Sequence, residues 1–281
     1  MANINTILRQ ANITRIDWRE SKRRWQAFRV ANGWGPIAPL LTPPPKPGAK
    51  KAANLKLAKD QSVTTYGLAL AQANTVGLVK VKLPDGTFLV TRITTCPFST
   101  PACRYGCVSQ NGNGRYDSVQ LARQLKTRFL LEDPDAFCSL LAHELDVAYV
   151  KYGVRLRVRL NTFSDIRWEE VAPWLVETAV SLYDYTKDWS RTPPSNYRLT
   201  LSASERTSDK RVVAAVASGR SVAVVFDTPR TAELPSTWQG LRVIDGDKSD
   251  NRADDPTGVI VGLRAKGRMR GDTRGMVRRT A

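Results

Sequence analysis

From about residue 60 the chain alternates short apolar, β-branched runs with longer stretches whose apolar residues recur at helical spacing. Two runs, 76–83 and 86–95, flank Leu83-Pro84-Asp85-Gly86, and an Asp-Gly pair in that setting predicts a β-hairpin. Helices are predicted over about 117–129 and from Asp133-Pro134 to about 150, where Asp-Pro is a helix-start signal. Further strand-like runs lie at 154–160, 180–185, 197–202, 222–227, 241–245 and 258–263, with helical stretches at 168–178 and 208–218. Strands alternating with helices form parallel βα units joined by right-handed crossovers. The expected fold is α/β, a full or partial (β/α) barrel of six to seven parallel strands with a β-hairpin lead-in. A doubly wound open sheet is the alternative.

Upstream of residue 60 the pattern differs. Residues 12–35 interleave Trp18, Trp25, Phe28 and Trp34 with Lys22-Arg23-Arg24. Such a stretch can stack bases and bind phosphates, or form an amphipathic helix whose rings pack on the main domain. Packing is favoured, because four large aromatic side chains are costly to leave in water. Residues 36–51 are Pro-rich and predict an extended linker. The expected organisation is a basic aromatic segment at 1–35, a linker at 36–59, an α/β barrel-like domain at 60–267 and a basic tail at 268–281.

Charge sharpens that division. The formal net charge is +17. Residues 1–60 hold 12 Lys/Arg against Asp17, Glu20 and Asp60, and residues 264–281 hold seven against Asp272 alone. The middle, 61–263, carries 24 basic and 22 acidic residues and is nearly neutral. Basic termini attract nucleic acid through counterion release, so a nucleic-acid partner is expected there. No run of ~18 apolar residues suggests a membrane span, and residues 1–10 lack the layout of a signal peptide. A cytoplasmic location is expected, where cysteines stay reduced unless catalytic or metal-bound.

In barrels of this kind the site is assembled at the carboxyl ends of the strands. The first strand runs into Cys96, and the next ends in Asn161-Thr162-Phe163-Ser164-Asp165. Later ones end in Asp184-Tyr185-Thr186-Lys187, Ser202-Ala203-Ser204-Glu205, Asp227 and Asp245-Gly246-Asp247, and the last leads to Lys266. Each apolar run thus delivers a polar group to one rim, and a polar pocket is expected. Asp184, Lys187 and Glu205 are its candidate catalytic residues. Asn161, Ser164, Asp165, Ser202, Asp245 and Lys266 are its candidate cofactor-binding residues.

Cys96, Cys103 and Cys107 place three thiols within twelve residues. Soft thiolates in such a group select zinc, copper(I) or an iron–sulfur cluster. A structural zinc wants four ligands, and Cys138 or His143 is the available fourth; Cys138, in an apolar helix, reads more simply as a core residue. Three cysteines after a first barrel strand, with a fourth coordination position free, resemble the radical S-adenosylmethionine superfamily. That resemblance implies a [4Fe–4S] cluster with S-adenosylmethionine on its unique iron, although the spacing here is wider and no Gly-Gly-Glu follows the second strand.

A closer resemblance is carried by Cys96-Pro97, Thr100-Pro101-Ala102-Cys103, Arg159-Leu160-Asn161, Ser164-Asp165-Ile166, Tyr183-Asp184-Tyr185-Thr186-Lys187, Asn196-Tyr197-Arg198-Leu199-Thr200, Asp245-Gly246-Asp247 and Gly262-Leu263-Arg264-Ala265-Lys266-Gly267. These stretches resemble the uncharacterised gene product 88 family of actinobacterial phages and plasmids. The resemblance spans about 64–270 and implies a phage or mobile-element protein working in the cytoplasm of a bacterial host cell. It brings no established activity.

Other chemistry is narrower. With His143 as the single histidine, a Ser-His-Asp hydrolase is all but excluded. Asp245, Asp247, Asp250, Asp254 and Asp255 can hold Mg²⁺, as in a nuclease or replication factor, or can pair with Lys248 and Arg252 in a hydrophilic loop. Three functions stay open: a radical enzyme acting on nucleic acid or nucleotide, a nucleic-acid-binding protein with structural zinc, and the magnesium-dependent nuclease.

Overall fold

The computed structural model describes residues 1–45, 60 and 62–280. The chain opens with a two-residue strand, β1 (Ala2–Asn3), and helices α1 (Ile4–Gln10) and α2 (Trp18–Ala31). Asn3 and Asp17 cap the two helices by accepting from backbone N–H groups of their first turns. A short strand, β2 (Leu41–Thr42), precedes β3 (Thr64–Leu68), and the predicted hairpin follows as β4 (Leu78–Lys82) and β5 (Phe88–Thr94). Its turn holds Gly86 at φ 85°, a left-handed conformation that glycine adopts without a Cβ clash. Next come α3 (Pro101–Tyr105), α4 (Asp117–Glu132), α5 (Pro134–Tyr152) and β6 (Leu156–Arg159). Asp133 caps α5 and Pro134 occupies its first turn, as the Asp-Pro signal predicts.

The second half begins with short helices α6 (Trp168–Val171) and α7 (Pro173–Val176), then β7 (Ser181–Thr186) and β8 (Tyr197–Ser202). Helix α8 (Asp209–Ala217) leads to β9 (Val222–Phe226), β10 (Thr237–Trp238), β11 (Leu241–Asp245), β12 (Ile260–Arg264) and β13 (Val277–Arg278). Strands β3, β6, β7, β8, β9, β12 and β11 lie side by side in that order, each parallel to the next. Antiparallel β2 and β10 flank the two edges. The molecule is therefore α/β with a large, mostly parallel sheet. Among the described residues no pairing joins its two edges.

The leading strand corrects one expectation. The run that enters Cys96 is β5, and it pairs with β4 and β1 in a separate three-stranded sheet. The first parallel strand is β3, whose five residues include Gly67 and make a weak sequence signal.

Period-two alternation divides the parallel sheet into two faces. Leu156, Val158 and Leu182 point to the helices and join the core with Phe129, Phe137 and Leu141. Val222, Val224, Phe226 and Ile260 form a second cluster with Val212 and Val216 of α8. Each fully buried side chain of this kind contributes about 1.5–3 kcal/mol.

The ends of the chain are built into this body. Ile4, Leu8 and Trp25 belong to the main core. The Trp25 ring lies 5.0 Å from that of Phe129, and Trp18 stacks on His143 at 3.9 Å. The amphipathic-helix reading of 12–35 thus describes α2, and residues 1–35 are no free arm. Of the expected 36–59 linker, residues 46–59 lie outside the described residues.

The expected tail at 268–281 is corrected as far as residue 280. Beyond Ser202, β8 no longer pairs with β9, and β13 takes up the vacant ladder at Val225 and Phe226. An unpaired strand edge is a strong template, which explains the docking of so basic a segment. Arg278 then pairs with Asp209 at 2.9 Å.

Candidate functional site

The cysteine loop is pinned from both ends. At its start, Thr95 is fully buried and donates to the Ala71 carbonyl at 2.6 Å, while its own carbonyl accepts from the Asp165 N–H at 2.9 Å. Further on, Glu205 accepts from the Thr100 hydroxyl at 2.6 Å and the Ala102 N–H at 3.0 Å. Burial acts to raise the Glu205 carboxyl, but these hydrogen bonds prevail and hold it below the usual range. Glu205 is therefore an anchor of the loop and does not line the cavity beside it.

That cavity, of about 400 Å³, lies at the carboxyl ends of the parallel strands and is lined by Cys96, Cys103 and Cys107. Its size is that of a small-molecule site. The sheet supplies alternate residues from one face: Arg159 and Asn161, Tyr185 and Lys187, Ser202, Ala223 and Val225, and Leu263. Of the other expected residues, Ser164, Asp165 and Lys266 also line it, and Asp184, Glu205 and Asp245 do not.

Several of these residues build the site more than they face it. Asn161 accepts from the Ser164 hydroxyl at 2.8 Å and the Ile166 N–H at 2.9 Å, and donates to the Ile166 carbonyl at 2.9 Å. Its amide is thereby committed to shaping the 161–166 loop. Asp165 accepts from Thr186 at 2.7 Å and from the Lys187 N–H at 2.9 Å. Burial pushes its carboxyl up despite Arg191 nearby. Asp184 points away from the cavity into the helix-facing core, where Asn161 and Tyr197 donate to it. Asp245 pairs with Arg264 at 3.0 Å and is also outside the lining.

The thiols differ in surroundings. Cys96 Sγ accepts from the Ala73 N–H at 3.4 Å and lies 3.1 Å from the Phe163 carbonyl; burial pushes its pKa up to about 12. Cys107 Sγ accepts from Ser109 at 3.2 Å. Lys187 hydrogen-bonds Cys103; burial alone lowers an ammonium's pKa, but Cys103 and Asp165 outweigh it and keep Lys187 protonated above the ordinary lysine range. Among the described residues, no three His, Cys, Asp or Glu side chains are gathered as a ready-made chelate. Cys138 is fully buried in the core and His143 stacks on Trp18, so neither joins the three thiols.

Sequence reading missed Arg123, which lines the cavity from α4. It is 5% exposed, donates to the Ser109 carbonyl at 3.0 Å and covers the Phe163 ring at 4.1 Å. Burial lowers its pKa to about 10. The signal was present: Arg123, Thr127 and Leu130 fall on one helical stripe, and all three are buried. Arg159, also missed, pairs with Asp250 at 3.2 Å. Its Nε, and the Oγ1 of Thr162 beside it, are buried without a hydrogen-bond partner among the described residues. A buried polar atom left without a partner costs about 1–3 kcal/mol, and both residues line the cavity.

The acidic loop is occupied by arginines. Asp247 pairs with Arg264 and Lys266, Asp250 with Arg159, Asp254 with Arg157 at 2.9 Å, and Asp255 with Arg252 at 3.1 Å. Of the expected partners Lys248 and Arg252, Arg252 takes Asp255, and the other acids meet Arg157, Arg159, Arg264 and Lys266 from other parts of the chain. The C-terminal segment closes the other side of the cavity. Met276 lines it, Met269 packs on Gly106, and Arg268 and Arg274 lie over the Tyr105 ring at 5.7 and 3.7 Å.

A family model described as gene product 88 matches residues 48–280. The chain belongs to that family. The match takes in the cysteine loop, the strands that line the cavity and the folded-back C-terminal segment. Searches of curated proteins and of solved structures returned no match. No helix among the described residues is long and apolar enough to cross a membrane.

Proposed function

We propose that this gene product 88 protein is an iron–sulfur enzyme of the radical S-adenosylmethionine kind, with Cys96, Cys103 and Cys107 as cluster ligands. The observation that carries this reading is the convergence of all three thiols on one cavity at the carboxyl ends of the parallel strands. The donor types suit a cluster: three soft thiols line one cavity, with Lys187 at Cys103 and Arg123 close to Cys107 to offset thiolate charge. Cluster binding would draw the three sulfurs together. When bound, a [4Fe–4S] cluster supplies one-electron reduction of the carbon–sulfur bond of S-adenosylmethionine.

The chain's own groups do the rest of the work in this reading. Arg159 and Thr162 line the cavity, and their partnerless polar atoms support a role in meeting the polar groups of a bound molecule. Val225, Leu263 and Met276 supply apolar wall and exclude water. Asn161, Ser164 and Asp165 hold the loop that carries Thr162, and Glu205 holds the loop that carries the thiols.

The test is metal and acid-labile sulfide analysis of anaerobically purified protein, followed by assay for 5′-deoxyadenosine under a one-electron reductant. About four irons and four sulfides per chain, with reductant-dependent deoxyadenosine, are expected. One zinc and no sulfide would overturn the reading and leave a structural zinc site in its place.

A further inference from the structure

We propose that the rim of this cavity, formed by the cysteine loop and the folded-back C-terminal segment, binds single-stranded nucleic acid. The inference deepens the reading above by naming the substrate class, and rests on it for the chemistry but not for the binding.

Charge is the first observation. Residues 96–116 and 264–280 together carry nine Lys/Arg and one acid, Asp272; three of the nine, Arg264, Lys266 and Arg278, pair with Asp245, Asp247 and Asp209. Several of the other cations have partners that leave their charge unbalanced. Arg104 donates to the Ser99 carbonyl, Arg115 lies by the Tyr116 ring, and Arg268 and Arg274 lie over Tyr105. Carbonyls and rings orient a guanidinium without neutralising it. Most basic residues of α2 are differently placed: Arg23 and Arg24 share Glu20, Arg24 also meets Asp133, Arg19 lies 3.9 Å from Asp17 and Arg29 is buried, while Lys22 is exposed. The rim, with exposed Arg104, Arg115, Arg268, Arg270 and Arg274, offers more uncompensated positive charge than α2.

Aromatic exposure is the second. Phe98, Tyr105 and Tyr116, all on or next to the cysteine loop, are 40%, 43% and 53% exposed. Rings interleaved with arginines suit a single strand, whose bases stack on aromatic or guanidinium planes while its phosphates meet the cations. A duplex keeps its bases stacked on one another. The thiols lie within a cavity of about 400 Å³, so a target base reaches them only when unpaired or extruded.

The test uses the full chain and a labelled oligothymidine, read by fluorescence anisotropy over a series of salt concentrations, with a duplex of equal length alongside. The paired substitutions Arg268→Ala/Arg274→Ala should weaken binding about tenfold and flatten the log–log salt slope by about 1.4, two phosphate contacts' worth. Because the first pair packs on Tyr105, a further substitution, Arg270→Ala, removes an exposed rim charge and should act in the same direction. Arg19→Ala/Arg23→Ala on α2 should change affinity less than either. Absence of binding, equal or stronger binding of duplex, or a larger loss from the α2 pair would each overturn the proposal. Iron measured on the same samples separates the two readings: protein without iron that still binds the oligonucleotide through the rim sinks the cluster and keeps the surface.

Discussion

The carboxylate of Asp184 accepts two hydrogen bonds from Asn161, one from its backbone N–H and one from its side-chain amide, each 2.7 Å long. The pair ties the end of β6 to the middle of β7 beneath the cavity floor. It also makes Asp184 a positioning residue, since Asn161 in turn shapes the loop that carries Thr162 and Asp165.

A pH dependence follows. Burial raises the Asp184 pKa from 3.8 to about 6, with Arg191 and Tyr197 acting the other way. A raised folded-state pKa means that the native state holds the proton more tightly than the unfolded chain. Its stabilising effect is full below the unfolded value and is lost as pH rises through about 6. Asp184→Asn should abolish that decline. Urea midpoints of both proteins at a series of pH values check it, with a difference on the order of 3 kcal/mol developing across the window; parallel curves would refute the assignment.

Glu205 makes a prediction about the cysteine loop. Glu205→Gln keeps one acceptor for Thr100 or Ala102 but turns an amide donor toward the other. A loss of about 1–2 kcal/mol in stability is expected, together with reduced iron per chain after anaerobic reconstitution. Unchanged stability and metal content would show that the loop holds without this anchor.

The contact between Gly106 and Met269 tests the docking of the C-terminal segment. A Cβ on residue 106 would stand 1.9 Å from the Met269 sulfur. Gly106→Ala should therefore cost about 1–3 kcal/mol by overpacking, and adding Met269→Ala should recover part of it. A double-mutant cycle with no coupling would place the C-terminal segment elsewhere in solution.

Cys138 separates packing from ligation. It is fully buried among Phe137, Leu141 and their neighbours. Cys138→Ala should lower stability by roughly 1 kcal/mol and leave iron content unchanged, whereas Cys96→Ser, Cys103→Ser or Cys107→Ser should each deplete iron. Loss of iron from the Cys138 variant would return it to the ligand set.

What the sequence by itself determined was local. Helix starts at Asp133-Pro134, the hairpin at Asp85-Gly86 and the strand–helix alternation rest on backbone preferences and hydrophobic period, which act over a few residues. The convergence of Asn161, Lys187, Ser202 and Lys266 was also legible, because a parallel sheet brings all its carboxyl ends to one side. Cys96, by contrast, follows β5 of the separate sheet and reaches the cavity only through tertiary packing. Only the tertiary structure decided which polar residue at each end faces the cavity. Asp184 is one position from Tyr185, and in a strand one position reverses the face, so Tyr185 lines the cavity and Asp184 enters the core. Asp245 met Arg264 on the neighbouring strand, and Glu205 met Thr100 across 105 residues. The basic C-terminal segment became a strand because β8 leaves β9 unpaired after Ser202. Such pairings depend on which distant groups the fold brings within reach, and no local pattern in the chain encodes them.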